Sequence, residues 1–140
     1  VTEPLSPGIY DFLSGVLSVG QRVYPLTLPQ GAVLPALTYQ LVAETGLATH
    51  DWAQDHPLYD GLRDEEARVQ FNAYGDTFDE AEALSNELKA AITGYRGLWG
   101  QVQIESVLPV LSLDDYEPAT QSWRRVTDYQ ISWVAGASGS

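Results

Sequence analysis

The stretch Glu66-Ala67-Arg68-Val69-Gln70-Phe71-Asn72-Ala73-Tyr74, followed at once by Thr77-Phe78-Asp79-Glu80, changes its hydrophobic period in mid-course. From Ala67 to Tyr74 the residues alternate, with Val69, Phe71 and Ala73 on one side and Arg68, Gln70 and Asn72 on the other. That period of two belongs to a half-buried strand. At Thr77 the pattern becomes that of a capping box, in which the Thr hydroxyl accepts from the Glu80 amide and the Glu carboxylate reaches back. Ala81, Leu84, Leu88, Ala91 and Ile92 then recur at helical spacing, and Gly94 stands where a helix C′ residue would. Asp79, Glu80 and Glu82 in the first turn and Lys89 near the end match the helix dipole. A one-faced strand running into a one-faced helix implies a sheet with helices packed on it.

Working outward, Ser6-Pro7 reads as N-cap and first helical residue. The stripe Ile9, Phe12, Leu13, Val16, Leu17 continues that helix toward Gly20. A brief segment Arg22–Leu26 and an alternating run from Leu37 to Ala43 supply two strands. Residues 44–66 read as one long polar loop containing Trp52, Leu58 and Tyr59. Loops of that length are uncommon in compact domains unless they have a role. After the second helix, Tyr95 and Trp99 lie in a Gly-punctuated connection. Gln101–Leu108 is expected as a strand stopping at Pro109, and Ser112–Thr120 as an acidic turn. The last strand runs from Trp123 to Val134, with Trp123, Arg125, Thr127, Tyr129, Ile131 and Trp133 on one face. The expected fold is α+β: a single antiparallel or mixed sheet with two main helices, in the order α-β-β-β-α-β-β. Residues 1–134 form one domain on this reading, and residues 135–140 a flexible tail.

Composition narrows the function. Seven Lys+Arg against 19 Asp+Glu leave a net charge of -12 over 140 residues, which does not suit binding driven by phosphate neutralisation or by an anionic membrane. Without cysteine there is no disulfide framework, thiolate nucleophile or zinc knuckle. No apolar run approaches the ~20 residues that span a bilayer, and no secretory leader pattern is visible. Nucleotide-binding glycine loops, GxSxG and HExxH are all missing. The one local cluster of ligand-type residues is His50, Asp51, Asp55, His56 and Asp60. It gives the alternative reading, a metal-binding hydrolase or regulator using His50, Asp55, His56 and Asp60, against the plainer reading of a polar loop. The runs Asp64-Glu65-Glu66 and Asp114-Asp115 read as solvated turns rather than as acid/base pairs. A peptide-binding module using an exposed sheet edge is a third possibility. The expectation is a non-enzyme with no cofactor and no bound metal.

The order of motifs also resembles a known family. The N-terminal amphipathic helix, Arg22-Val23-Tyr24-Pro25 and Leu34-Pro35-Ala36-Leu37-Thr38-Tyr39-Gln40 are similar to the opening of phage tail completion proteins. These are the tail-terminator, or head-to-tail joining, proteins of long-tailed phages, prophages and gene transfer agents. Asp60-Gly61, Glu66–Tyr74 and the helix containing Glu80-Ala81-Glu82-Ala83-Leu84 continue the resemblance. Asp115-Tyr116-Glu117-Pro118 and Trp123–Trp133 complete it. It implies a structural role: a ring, typically of six subunits, seated on the end of the tail tube. Such a ring stops tail polymerisation and meets the head connector or stopper protein, at the head–tail junction of a virion assembled in the bacterial cytoplasm. DNA passes through it without specific binding, and no membrane is involved. The family has no catalytic residues to carry over. For the interface with neighbouring subunits or partners, the sequence offers Trp52, Leu58 and Tyr59 in the long loop, and Arg124 and Gln130 on the outward side of the last strand.

Overall fold

The computed structural model describes residues 5–46, 62–100, 102–118 and 121–136. In these, two helices pack on one six-stranded mixed sheet that curls into a half-barrel. In chain order they are α1 (Leu5–Val16), β1 (Val23–Pro25), β2 (Ala36–Gly46), β3 (Leu62–Gly75), α2 (Phe78–Ile92), β4 (Gly97–Trp99), β5 (Val102–Glu117) and β6 (Ser122–Gly136). Across the sheet the order is β1-β2-β3-β6-β5-β4, with β1 parallel to β2 and every other pair antiparallel. The α+β reading therefore stands, with one strand, β4, added between α2 and β5.

The expected faces are observed. Ala67, Val69, Phe71 and Ala73 of β3 and Tyr129, Ile131 and Trp133 of β6 form the helix-covered face with Leu37, Tyr39, Ile104 and Val107. Leu84, Leu88 and Ile92 of α2 close over β3 and β6, each burial contributing about 1.5–3 kcal/mol. Helix α1 packs at the margin instead, touching both edge strands β1 and β4, so it lies where the curled sheet would otherwise gape. Its approach to β4 depends on Gly8, where a Cβ would stand 2.5 Å from the Trp99 carbonyl oxygen. Phe12 stacks on Trp99 at 5.2 Å between ring centroids and holds the same contact from its other end.

The capping box forms in modified shape. Glu80 N–H donates to Thr77 Oγ1 at 3.1 Å, but the Glu80 carboxylate accepts from the amide of Asp76 rather than of Thr77. At the other end Gly94 adopts φ 74° and its N–H donates to the Val107 carbonyl, tying the helix end to β5. Helix α1 already includes Leu5 and Ser6, so Ser6 is not its cap.

Three expectations are corrected. Strands β2 and β3 extend to Gly46 and from Leu62, which shortens the loop expected at 44–66 and places Asp64, Glu65 and Glu66 in a strand. Strand β5 does not stop at Pro109 but continues to Glu117, so Ser112–Glu117 is strand and not an acidic turn. The reason lies in the ladder: the Val107 carbonyl points away from β6 toward Gly94. Pro109, two residues on, thus directs its missing N–H to the outside, where no sheet bond is lost. Finally, bulges at Leu41/Ala43, Ile104/Ser106 and Pro109/Leu111 break the simple alternation of β2 and β5.

Candidate functional site

The helix-free face of the sheet carries rows of side chains set by the register. One row is Tyr74–Arg124–Asp115, the next Asn72–Val126–Leu113, then Gln70–Asp128–Leu111 and Arg68–Gln130–Leu108. The central part is polar and only partly satisfied: Asn72 Nδ2 donates to Thr38 Oγ1 at 3.0 Å and Arg68 Nε to Asp128 Oδ2 at 3.1 Å, while the buried Asn72 Oδ1 and Asp128 Oδ1 have no hydrogen-bond partner among the described residues. Toward β5 the face turns apolar. Leu108 (56% exposed), Leu111 (54%) and Leu113 (48%) form a stripe beside Val126, with Val110 exposed at the bulge.

The far end of the β5–β6 hairpin bears a second apolar group on the opposite face. Trp123 makes edge-on contacts with Phe78 and Tyr116 at 5.9 and 5.3 Å, and the Arg125 guanidinium sits 5.9 Å above the Phe78 ring. All three rings are substantially exposed. The hairpin between these two patches is braced by ion pairs. Arg124 grips Asp115 through two hydrogen bonds of 2.9 and 2.6 Å, and Arg125 grips Asp114 through two of 2.6 and 3.1 Å. Hydrogen bonding to Arg124 lowers the Asp115 pKa below its ordinary value, and the Asp114 and Asp115 carboxylates raise those of Arg125 and Arg124. The two acidic residues read as a solvated turn are thus paired structural groups.

Behind the hairpin, between α2 and β5, lies an open groove of about 330 Å³. Ser85, Asn86 and Lys89 form one wall, the β5 segment 109–112 the other, and Arg125, Thr127 and Tyr129 the floor. Burial raises the Tyr129 hydroxyl pKa, and a hydrogen bond with Thr93 offsets this in part. No group of three or more His, Asp or Glu among the described residues is placed to hold a metal ion.

The predicted interface residues fall in two sets. Trp52, Leu58 and Tyr59 lie outside the described residues, as do His50, Asp55, His56 and Asp60 of the metal alternative. Arg124 and Gln130 both lie on the helix-free face, in separate rows. Arg124 is engaged with Asp115, and Gln130 stands between Arg68 and Leu108. The exposed Leu108–Leu113 stripe was missed by sequence reasoning. Its signal was present in Leu108-Pro109-Val110-Leu111-Ser112-Leu113, four apolar side chains around a proline. No helix among the described residues is long and apolar enough to cross a membrane.

Compared with known proteins, the sequence matches no family model and no curated protein. Its fold is similar to that of a chain in a solved structure described as the virion of a native gene transfer agent (GTA) particle. The likeness covers 88% of this chain and 84% of that one, at a TM-score of 0.56 and 16% identity.

Proposed function

We propose that this chain is a structural protein of a phage-like virion, acting as the tail terminator that closes the tail tube and joins it to the head. The observation that carries this reading is the likeness of fold, over nearly the whole chain, to a component of a gene transfer agent virion. Two further features support it. Half of the exposed large apolar side chains among the described residues, six of twelve, lie on one hairpin, as a contact surface requires. The ordered motifs from Arg22-Val23-Tyr24-Pro25 to Trp123–Trp133 resemble those of the terminator family along the same span. The protein works by contact and shape, as a ring of six copies between the tail tube protein and the connector. A charge of -12 per copy favours free passage of DNA, because carboxylates in a lumen repel phosphate. Trp52, Leu58 and Tyr59 meet the neighbouring subunit or partner, Gln130 contacts it from the sheet face, and Arg124 holds the hairpin in shape.

Native mass spectrometry of the chain, alone and mixed with its tail tube protein, tests this reading. A closed oligomer is expected, at the latest on the tube. Trp52→Ala and Tyr59→Ala should weaken assembly while leaving the thermal unfolding curve of the monomer in place. A chain that stays monomeric at high concentration, and also in the presence of the tube, refutes the terminator assignment.

A further inference from the structure

The sheet has two borders, and among the described residues each is paired only in part. Strand β1 pairs with Leu37–Tyr39 of β2, and among the described residues no strand pairs with the outer side of 40–46. Strand β4 pairs with Val102–Ile104 of β5, and among the described residues no strand pairs with the outer side of 105–117. The direction of the free groups follows from two hydrogen bonds. Leu26 N–H donates to the Tyr39 carbonyl, so Tyr39 faces away from β3; Gly94 N–H donates to the Val107 carbonyl, so Val107 faces away from β6. Carried through the register and its bulges, the alternation leaves main-chain groups of Leu41, Glu44 and Gly46 directed outward from β2. It leaves those of Ser112, Asp114 and Tyr116 directed outward from β5.

We propose that the β5 edge from Ser112 to Tyr116 of one copy takes up the β2 edge from Leu41 to Gly46 of a second copy, so that the sheet continues from chain to chain. This rests on the ring reading and names the contact that would build the ring. The two edges lie on opposite borders of the sheet and near opposite ends: Ala36, Tyr74, Arg124 and Asp115 align at one end, Gly46, Glu65 and Trp133 at the other. Joining unlike borders is a head-to-tail contact, the kind that repeats around a closed ring, whereas β5 on β5 would give a twofold pair and stop.

Charge favours a second copy at this border. Two chains of -12 repel over most of their surfaces. On the hairpin, however, Asp114 and Asp115 are each paired with an arginine, and Arg125 also lies 3.7 Å from Glu82. With Lys89 in the adjacent groove, three of the seven Lys+Arg of the chain stand at this one edge. The β2 edge, Gln40-Leu41-Val42-Ala43-Glu44-Thr45-Gly46, brings one carboxylate and no cation. Apolar cover points the same way. Val42 on one border and Val110, Leu111 and Leu113 on the other are each about half exposed, and edge pairing brings them together. The groove between α2 and β5 supplies the room that an added strand needs for the side chains it directs to that face. Pro109 and the neighbouring bulge guard the edge against pairing only as far as Leu111; the free donors begin at Ser112.

Because the chain has no cysteine, the contact is tested by thiol crosslinking without background. Val42→Cys is mixed in turn with Ser112→Cys and with Leu113→Cys and treated with a short bis-maleimide; the mixtures should give a crosslinked dimer that neither partner gives alone. The double variant V42C/S112C should give a ladder ending at the ring size. A second arm compares Ser112→Pro with Ser112→Ala. Both lose the side-chain hydrogen bond to Thr127, but only proline removes the outward N–H, so S112P should assemble about tenfold more weakly or worse than S112A. Native mass spectrometry separates the outcomes. A ring that forms without the crosslink, or that S112P leaves intact, overturns the edge contact and leaves the terminator reading standing. Crosslinking of S112C to itself assigns the β5 edge to a twofold pair and overturns the proposal. Crosslinked open chains that never close support the contact and count against the ring. Absence of both crosslink and oligomer refutes the two together.

Discussion

Replacing Gly8 with alanine should destabilise the fold, whereas the same change at Gly15, in the same helix, should stabilise it. An alanine Cβ at position 8 would stand 2.5 Å from the Trp99 carbonyl oxygen, where ordinary contact begins near 3.4 Å. Helix α1 would have to withdraw from β4 by roughly 0.9 Å, the difference of those two distances. The atom met is main chain, in a residue whose side chain is fully buried, so nothing flexible can yield. Overpacking of this kind costs about 1–3 kcal/mol, offset in part by the ~1 kcal/mol that alanine gains over glycine inside a helix. A net loss of up to about 2 kcal/mol is expected, or up to roughly 8 °C in Tm for a chain of this size. At Gly15 a Cβ meets nothing within 4 Å, so only the propensity gain of about 0.5–1 kcal/mol remains. Thermal and urea unfolding of the two variants read the contrast directly. A G8A variant as stable as G15A would show that α1 does not rest closely on β4, and with it would go the idea that this helix closes the curl of the sheet.

Further expectations concern the second helix and the ionisable groups. Thr77→Ala should cost about 1 kcal/mol in urea unfolding by leaving the Glu80 amide without its acceptor, and Thr77→Ser should recover most of that loss. The Asp115 pKa is lowered in the folded state by Arg124, so its contribution is present above the unfolded value near 3.8 and is lost as pH falls through the lower folded value. Acid titration of stability should therefore lose a component below pH ~3.8 that Asp115→Asn lacks, worth about 0.2–1 kcal/mol for so exposed a pair. Tyr129 behaves in the opposite sense: burial raises its folded pKa above 10.0, so stability present below pH 10 declines as pH rises toward that higher value. Tyr129→Phe should flatten this alkaline limb, and an unchanged limb would assign it to other groups.

The parts of the fold legible in the sequence are those whose pattern is local. The switch from period two to helical period at Thr77 marked both β3 and α2, because one face of each is buried by the other and the polar face is left to solvent. The long alternation from Trp123 to Val134 marked β6 for the same reason. Strand β4 was not legible: three residues, the first of them a glycine and the next one beyond them another, carry no period, and Gly97–Trp99 is a strand only because Val102–Ile104 lies alongside. The candidate site was legible only in part. Arg124 and Gln130 were placed on the outward side by alternation, and they lie there. Trp52, Leu58 and Tyr59 lie outside the described residues.

The stretch after Pro109 was unreadable for a reason that bears on function. Strands are recognised by one buried and one wet face, and by the absence of proline and bulges. Strand β5 breaks each of these rules: it holds Pro109, slips register twice, and exposes leucines where a wet face should be polar. Within a single chain those departures look like errors. They make sense together on a border strand whose second neighbour comes from another molecule. On that proposal, proline limits where pairing can occur, the bulges turn the strand, and the exposed leucines lose water only when the neighbour arrives. A chain this acidic needs such a device. Without locally cancelled charge on the hairpin, two copies would have no edge at which apolar contact could overcome mutual repulsion. In the proposed ring, the paired arginines at 124 and 125 are therefore as much a condition of assembly as the leucines they stand beside.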